Sequence, residues 1–135
     1  MRLILLVPLL LAACSKQPAD AGLASGTFAG TGRDRLCIAG QDVALRAGLI
    51  VYGQGDVNCS AAGKLERAGQ GWVLVPQGEG DCRIPLEVKG DSVMVGKPPA
   101  ACAYYCGPAA VIAGMSFARS NSASKAVDLA GDALC

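Results

Sequence analysis

The stretch Cys82-Arg83-Ile84-Pro85-Leu86-Glu87-Val88-Lys89-Gly90-Asp91-Ser92-Val93-Met94-Val95 decides the fold. Its first eight residues alternate, with Cys82, Ile84, Leu86 and Val88 on one face, and a period of two is the signature of a half-buried strand. Gly90-Asp91 closes a two-residue hairpin. That register sets Lys89 opposite Ser92, Val88 opposite Val93 and Leu86 opposite Val95, so the apolar faces coincide. A slip of one residue would turn all of them toward water. Pro85 has no amide proton to donate, which predicts an edge strand or a bulge at that point.

The same arithmetic works one hairpin earlier. Gly69-Gln70 places Ala68 opposite Gly71, Arg67 opposite Trp72 and Leu65 opposite Leu74. Two adjacent hairpins make a meander. Leu36-Cys37-Ile38 and Leu49-Ile50-Val51-Tyr52 are further short apolar runs, the second broken by Gly53-Gln54-Gly55-Asp56, and each is too short to be read as a helix.

The cysteines follow the strand spacing. Cys37, Cys59 and Cys82 recur at an interval that fits two strands with their turns, and Cys102 follows at a similar step. Asp34, Asp56 and Asp132 each stand three residues before a cysteine, with Gly32, Gly55 and Gly131 just ahead of them, and Cys82 follows a Gly-Asp directly. The pattern reads as a repeated turn feeding a strand, with Cys37, Cys59 and Cys82 near one end of the sheet. On alternate strands these three lie roughly 9.5 Å apart, beyond disulfide reach in a flat sheet. Their partners are therefore expected among Cys102, Cys106 and Cys135, so that the last third of the chain folds back and staples the open end. The residues alone do not choose among the fifteen pairings that six cysteines allow.

Beyond the second hairpin the pattern changes. Pro98-Pro99 blocks sheet hydrogen bonding, Gly107-Pro108 marks a turn, and between them Cys102-Ala103-Tyr104-Tyr105-Cys106 forms a constrained loop. Tyr104 and Tyr105 are the candidate binding residues, since rigid aromatics supply contact area at small entropic cost. Ala109 to Phe117 reads as a final strand or a short helix, Ser120 to Ser124 as loop, and Ser124 to Ala130 as one helical turn. A disulfide at Cys135 would pin the tail. The fold class is mainly β: a small disulfide-stapled antiparallel meander, either an open sheet or a small barrel, with an irregular C-terminal segment.

The N-terminus has a different character. Met1-Arg2 is followed by an unbroken uncharged run from Leu3 to Ala13 and then by Ser15-Lys16-Gln17-Pro18, the layout of a secretory signal. The run is about 11 residues, roughly 16 Å as a helix, too short for a hydrocarbon core of about 30 Å. Leu11-Ala12-Ala13-Cys14 resembles the lipobox of bacterial lipoprotein precursors. That resemblance covers the first 14 residues. It implies removal of residues 1–13 as signal peptide and lipidation of Cys14 by a diacylglyceryl group and a further acyl chain such as palmitate. Two or three chains hold where one only visits, because each buried methylene contributes about 0.8 kcal/mol. Ser15 stands where an Asp would favour inner-membrane retention, so the resemblance implies the outer membrane, facing the periplasm. Residues 14–30, poor in large apolar side chains, read as a lipidated flexible tether, and residues 31–135 as the β domain.

Function classes narrow by exclusion. Without Arg2 the 12 basic residues become 11, equal to the 11 acidic ones, so no basic excess recruits nucleic acid. The chain contains no histidine. This removes Ser-His and Cys-His nucleophile pairs and the common zinc sets, and no cofactor is expected. Asp34, Asp56, Asp81, Asp91 and Asp132 all stand beside turn glycines, where Asp serves the backbone. Gly53-Gln54-Gly55 and Gly78-Glu79-Gly80 lack the Lys-Ser and helix start of a phosphate loop. Trp72 reads as core in preference to a ligand platform. The expectation is a non-catalytic lipoprotein with an envelope binding or structural role, its partners the membrane through the anchor and an envelope protein or glycan. An inhibitor-like module, of lysozyme for example, is the alternative, and a thiol or metal-binding protein built on Cys102 and Cys106 the lesser one.

Overall fold

The structure is a computed structural model that describes residues 23–135; the signal segment, Cys14 and most of the stretch read as tether lie outside the described residues. Eight antiparallel strands follow one another around a closed barrel: β1 (Gly26–Ala29), β2 (Arg35–Ala39), β3 (Arg46–Tyr52), β4 (Asn58–Ala68), β5 (Gly71–Pro76), β6 (Ile84–Lys89), β7 (Ser92–Val95) and β8 (Ser116–Arg119). Both hairpins take the expected registers, Lys89 opposite Ser92 and Leu86 opposite Val95 in one, Arg67 opposite Trp72 and Leu65 opposite Leu74 in the other. Gly69 and Gly90 lie at φ of +58° and +59°, while Gln70 and Asp91 do not, the pattern of a turn with glycine at its first central position.

Of the two sheet forms open to the sequence, the barrel is the one adopted. Closure is made by β1 and β8, with Phe28 opposite Arg119 and Ala29 opposite Ala118. Arg119 secures this seam. Its guanidinium stacks 4.6 Å from the Phe28 ring centre, donates to the carbonyls of Ser25 and Ala24, and lies 3.4 Å from an Asp91 carboxylate oxygen.

An eight-stranded barrel is just wide enough for its own side chains to fill it, and here they do. Phe28, Leu36, Leu49, Val51, Leu74, Ile84, Leu86, Val93, Val95 and Phe117 are all buried in one cluster. Each such side chain contributes about 1.5–3 kcal/mol by leaving water. Charged residues such as Lys64, Glu66, Glu87 and Lys89 occur on the outside, and seven of the strands run four to seven residues. A bilayer-crossing strand needs about 9–11 residues and the opposite polarity. Among the described residues no helix is long and apolar enough to cross a membrane.

The barrel has two distinct ends. At one, Leu23 folds into the mouth beside the two hairpin tips and the short 3-10 turn Asp42–Ala44; this is the entry end. At the other lie the turns 30–34 and 53–57, the loop 77–83 and the long excursion 96–115 between β7 and β8; this is the stapled end. The two short turns share one construction. Gly30 N–H donates to Asp34 O as Gly53 N–H does to Val57 O, with Gly32 and Gly55 at φ of +56° and +58°. Asp34, the buried acid among the described residues, accepts from the amide of Tyr52, the last residue of β3, at 2.9 Å.

Several expectations need correction. The end of the tether joins the first strand through Thr27-Phe28, as those residues suggest, and only the domain boundary moves: the barrel starts at Gly26, ahead of residue 31, because Phe28 is a core residue. Pro85 sits on neither a free edge nor a bulge. Its carbonyl accepts from Gly96 on the β7 side, and carbonyl and amide of one residue face the same neighbour in an antiparallel ladder. The missing donor therefore falls at the last rung, where β7 has already ended. Residues 124–130 form no helical turn: Val127 bridges Ala133, and the Asp128 carboxylate accepts from the amides of Ala130 and Asp132. Of the run 109–117, only Ser116 and Phe117 join a strand.

After β8 the tail runs back over the outer wall. Ser120 N–H donates to Thr27 O, Arg35 donates to Ser124, and Leu134 and Ala126 cover Cys37 and Ile50 in a second small cluster outside the barrel.

Candidate binding site at the stapled end

The stapled end is built by two disulfides, Cys59–Cys106 and Cys82–Cys102, and the third, Cys37–Cys135, ties the tail to the wall. Each early cysteine thus takes a late partner. Two of the bonds close the barrel end and one does not, because Cys37 points outward into the small cluster while Cys59 and Cys82 join the barrel core.

Around the two late stapling cysteines the chain forms the 3-10 helix Ala100–Tyr105, which contains Cys102 and ends against Cys106. A helix of this kind brings residues three apart onto one side, which turns Cys102 and Tyr105 toward the barrel and leaves Tyr104 outside. Tyr104 is 87% exposed, whereas Tyr105 packs against the core and its hydroxyl donates to Gln77 O at 3.4 Å. The two rings meet edge to face with centres 5.2 Å apart. The tyrosine pair therefore divides its work: Tyr105 positions the loop and Tyr104 is presented.

Behind the helix the same excursion encloses an open apolar groove of about 530 Å³, walled by Pro98, Pro99, Pro108, Val111 and Ile112 together with alanines. No charged side chain lines it. A Cβ on Gly107, at its base, would come 2.9 Å from a Val57 methyl, so that one of the two would have to shift. In the next turn Ala110 N–H donates to Gly107 O, and Ala109 lies at φ +63°, a place where glycine is favoured. The groove had no sequence signal beyond its prolines, because alanine and glycine carry no periodicity.

The remaining candidates do not converge. Asp34, Asp56 and Asp81 belong to different loops of the stapled end, Asp91 to the entry end and Asp132 to the tail. Asp56 pairs with Arg33 at 2.9 Å, and Arg33 also stacks 3.8 Å from the Tyr52 ring centre. Among the described residues no three His, Cys, Asp or Glu side chains are grouped to hold a metal ion. Cys102 and Cys106 are both in disulfides, which removes the thiolates that a metal or redox role would use. Trp72 packs half-buried against the core at the entry end, beneath Arg67 at 4.8 Å.

No protein-family model matches the chain, and no curated protein or solved structure matches it.

Proposed function

We propose that this chain is a lipid-anchored, non-catalytic binding module of the bacterial outer membrane, facing the periplasm. The observation that carries this reading is the opposition of the barrel ends. The chain enters from its lipobox-like N-terminus at one end, and the disulfide-braced loop with exposed Tyr104 and the apolar groove lies at the other. A barrel filled by buried apolar side chains serves as a scaffold, and its contribution is to hold a surface on the side away from the anchored end. The partner class is an envelope protein or glycan that meets an aromatic and aliphatic surface.

The test uses the full chain expressed in a bacterial host. Wild type is expected in the outer-membrane fraction and Cys14→Ser in the soluble periplasmic fraction. A photo-crosslinking residue at Tyr104 is expected to give a discrete adduct that the same residue at Leu129, also exposed, does not. Equal fractionation of the two proteins, or equal adducts at both positions, would contradict the proposal.

A further inference from the structure

We infer that the entry end of the barrel is a membrane-contacting face that docks on phospholipid headgroups. The inference rests on the reading of Cys14 as the lipidated residue. Eight residues separate Cys14 from Leu23, and an extended chain spans at most about 3.5 Å per residue. A Cys14 anchor therefore keeps the entry end within roughly 30 Å of the bilayer, and of the two barrel ends it is the one joined directly to the tether.

The chemistry of that end fits the neighbour. Val43, on the 3-10 turn Asp42–Ala44, is 104% exposed, the most exposed large apolar side chain among the described residues. The turn is held in this outward position by Gly40 at φ +86°, where a Cβ would strike the Ala44 carbonyl. Directly after it, Arg46 faces Lys64 across the β3–β4 ladder. Both point outward, since Ala47 and Leu65 point in. Like charges placed opposite each other oppose sheet pairing, and an anionic surface reverses that effect. The acids Asp42 and Glu66 flank the pair, while Glu87 and Asp91 at the same end are engaged by Lys89 and Arg119 at 3.7 and 3.4 Å. Trp72, half-buried at this mouth, is the residue type that settles at headgroup depth. An aliphatic tip, two adjacent outward cations and a tryptophan make an interfacial contact, shallow and reversible without the anchor.

The sole tryptophan makes the test direct. In a Trp72→Phe background, Val43→Trp and Tyr104→Trp place one reporter at each end of the mature lipidated protein. Each variant is reconstituted in vesicles of phosphatidylethanolamine and phosphatidylglycerol that contain a headgroup-nitroxide lipid. Quenching at position 43 is expected to exceed that at position 104 several-fold, and to fall by half or more in Arg46→Glu/Lys64→Glu. Equal quenching at the two ends, or stronger quenching at position 104, would overturn the inference. Intact mass of the same preparation reads lipidation of Cys14 separately, so a failure of the anchor is distinguishable from a failure of the docking face.

Discussion

Gly48 in β3 and Leu134 in the tail touch so closely that a Cβ on Gly48 would lie 2.5 Å from the Leu134 Cβ and 2.6 Å from its carbonyl oxygen. The outer wall is thus recessed at one point to receive the tail. Gly48→Ala is expected to lift residues 126–135 and to cost about 1–3 kcal/mol, the range for overpacking. Urea unfolding measures the cost, and hydrogen exchange at Leu134, whose amide donates to Ala126 O, locates it.

The filled interior and the presented loop predict opposite sensitivities. Phe117→Ala, at a site 1% exposed, should destabilise by about 3–5 kcal/mol. Tyr104→Ala should stay within about 0.5 kcal/mol of wild type. Equal losses in thermal or urea unfolding would show that Tyr104 is structural.

The disulfides should rank by the loop each closes. Cys37 and Cys135 are 98 residues apart, Cys82 and Cys102 only 20. On chain entropy alone, replacing both members of the pair by Ser costs about 4.7 kcal/mol for the longer loop and about 3 kcal/mol for the shorter. Midpoints in urea for the two double variants check the order.

Ala109 occupies a left-handed backbone position at φ +63°, which costs an L-residue about 1–2 kcal/mol, partly offset by the smaller chain entropy of Ala compared with Gly. Ala109→Gly should therefore raise stability by about 0.5–1 kcal/mol and leave the Tyr104 loop in place.

Arg119 holds the seam through a planar, forked group that Lys cannot reproduce. Arg119→Lys is expected to cost about 1–2 kcal/mol through lost hydrogen bonds to Ser25 and Ala24 and lost stacking on Phe28. Faster hydrogen exchange in β1 than in β3 is the local sign to measure.

Much of the barrel was legible wherever a turn glycine and a period of two act on neighbouring residues. The β4–β5 and β6–β7 registers follow from Gly69 and Gly90 and the apolar faces beside them, and the late partners of the early cysteines follow from strand spacing. Closure was not legible, because Phe28 and Arg119 come from opposite ends of the domain and neither carries a local signal for the other. Pro85 misled because an edge is not the only place a missing donor is tolerated; the last rung of a ladder serves as well. The tail resisted reading since its shape is set by Gly48, Cys37 and Arg35 on the wall beneath it. The groove escaped for a similar reason, being shaped by small residues between two disulfides.

Mass mapping of the unreduced mature protein from a bacterial host reads both features of a Cys14-anchored barrel stapled at its far end. The expected result is linked peptides Cys37–Cys135, Cys59–Cys106 and Cys82–Cys102, with an N-terminal Cys14 carrying a diacylglyceryl thioether. A free or disulfide-bonded Cys14, or a Cys37–Cys59 or Cys59–Cys82 link, would contradict it.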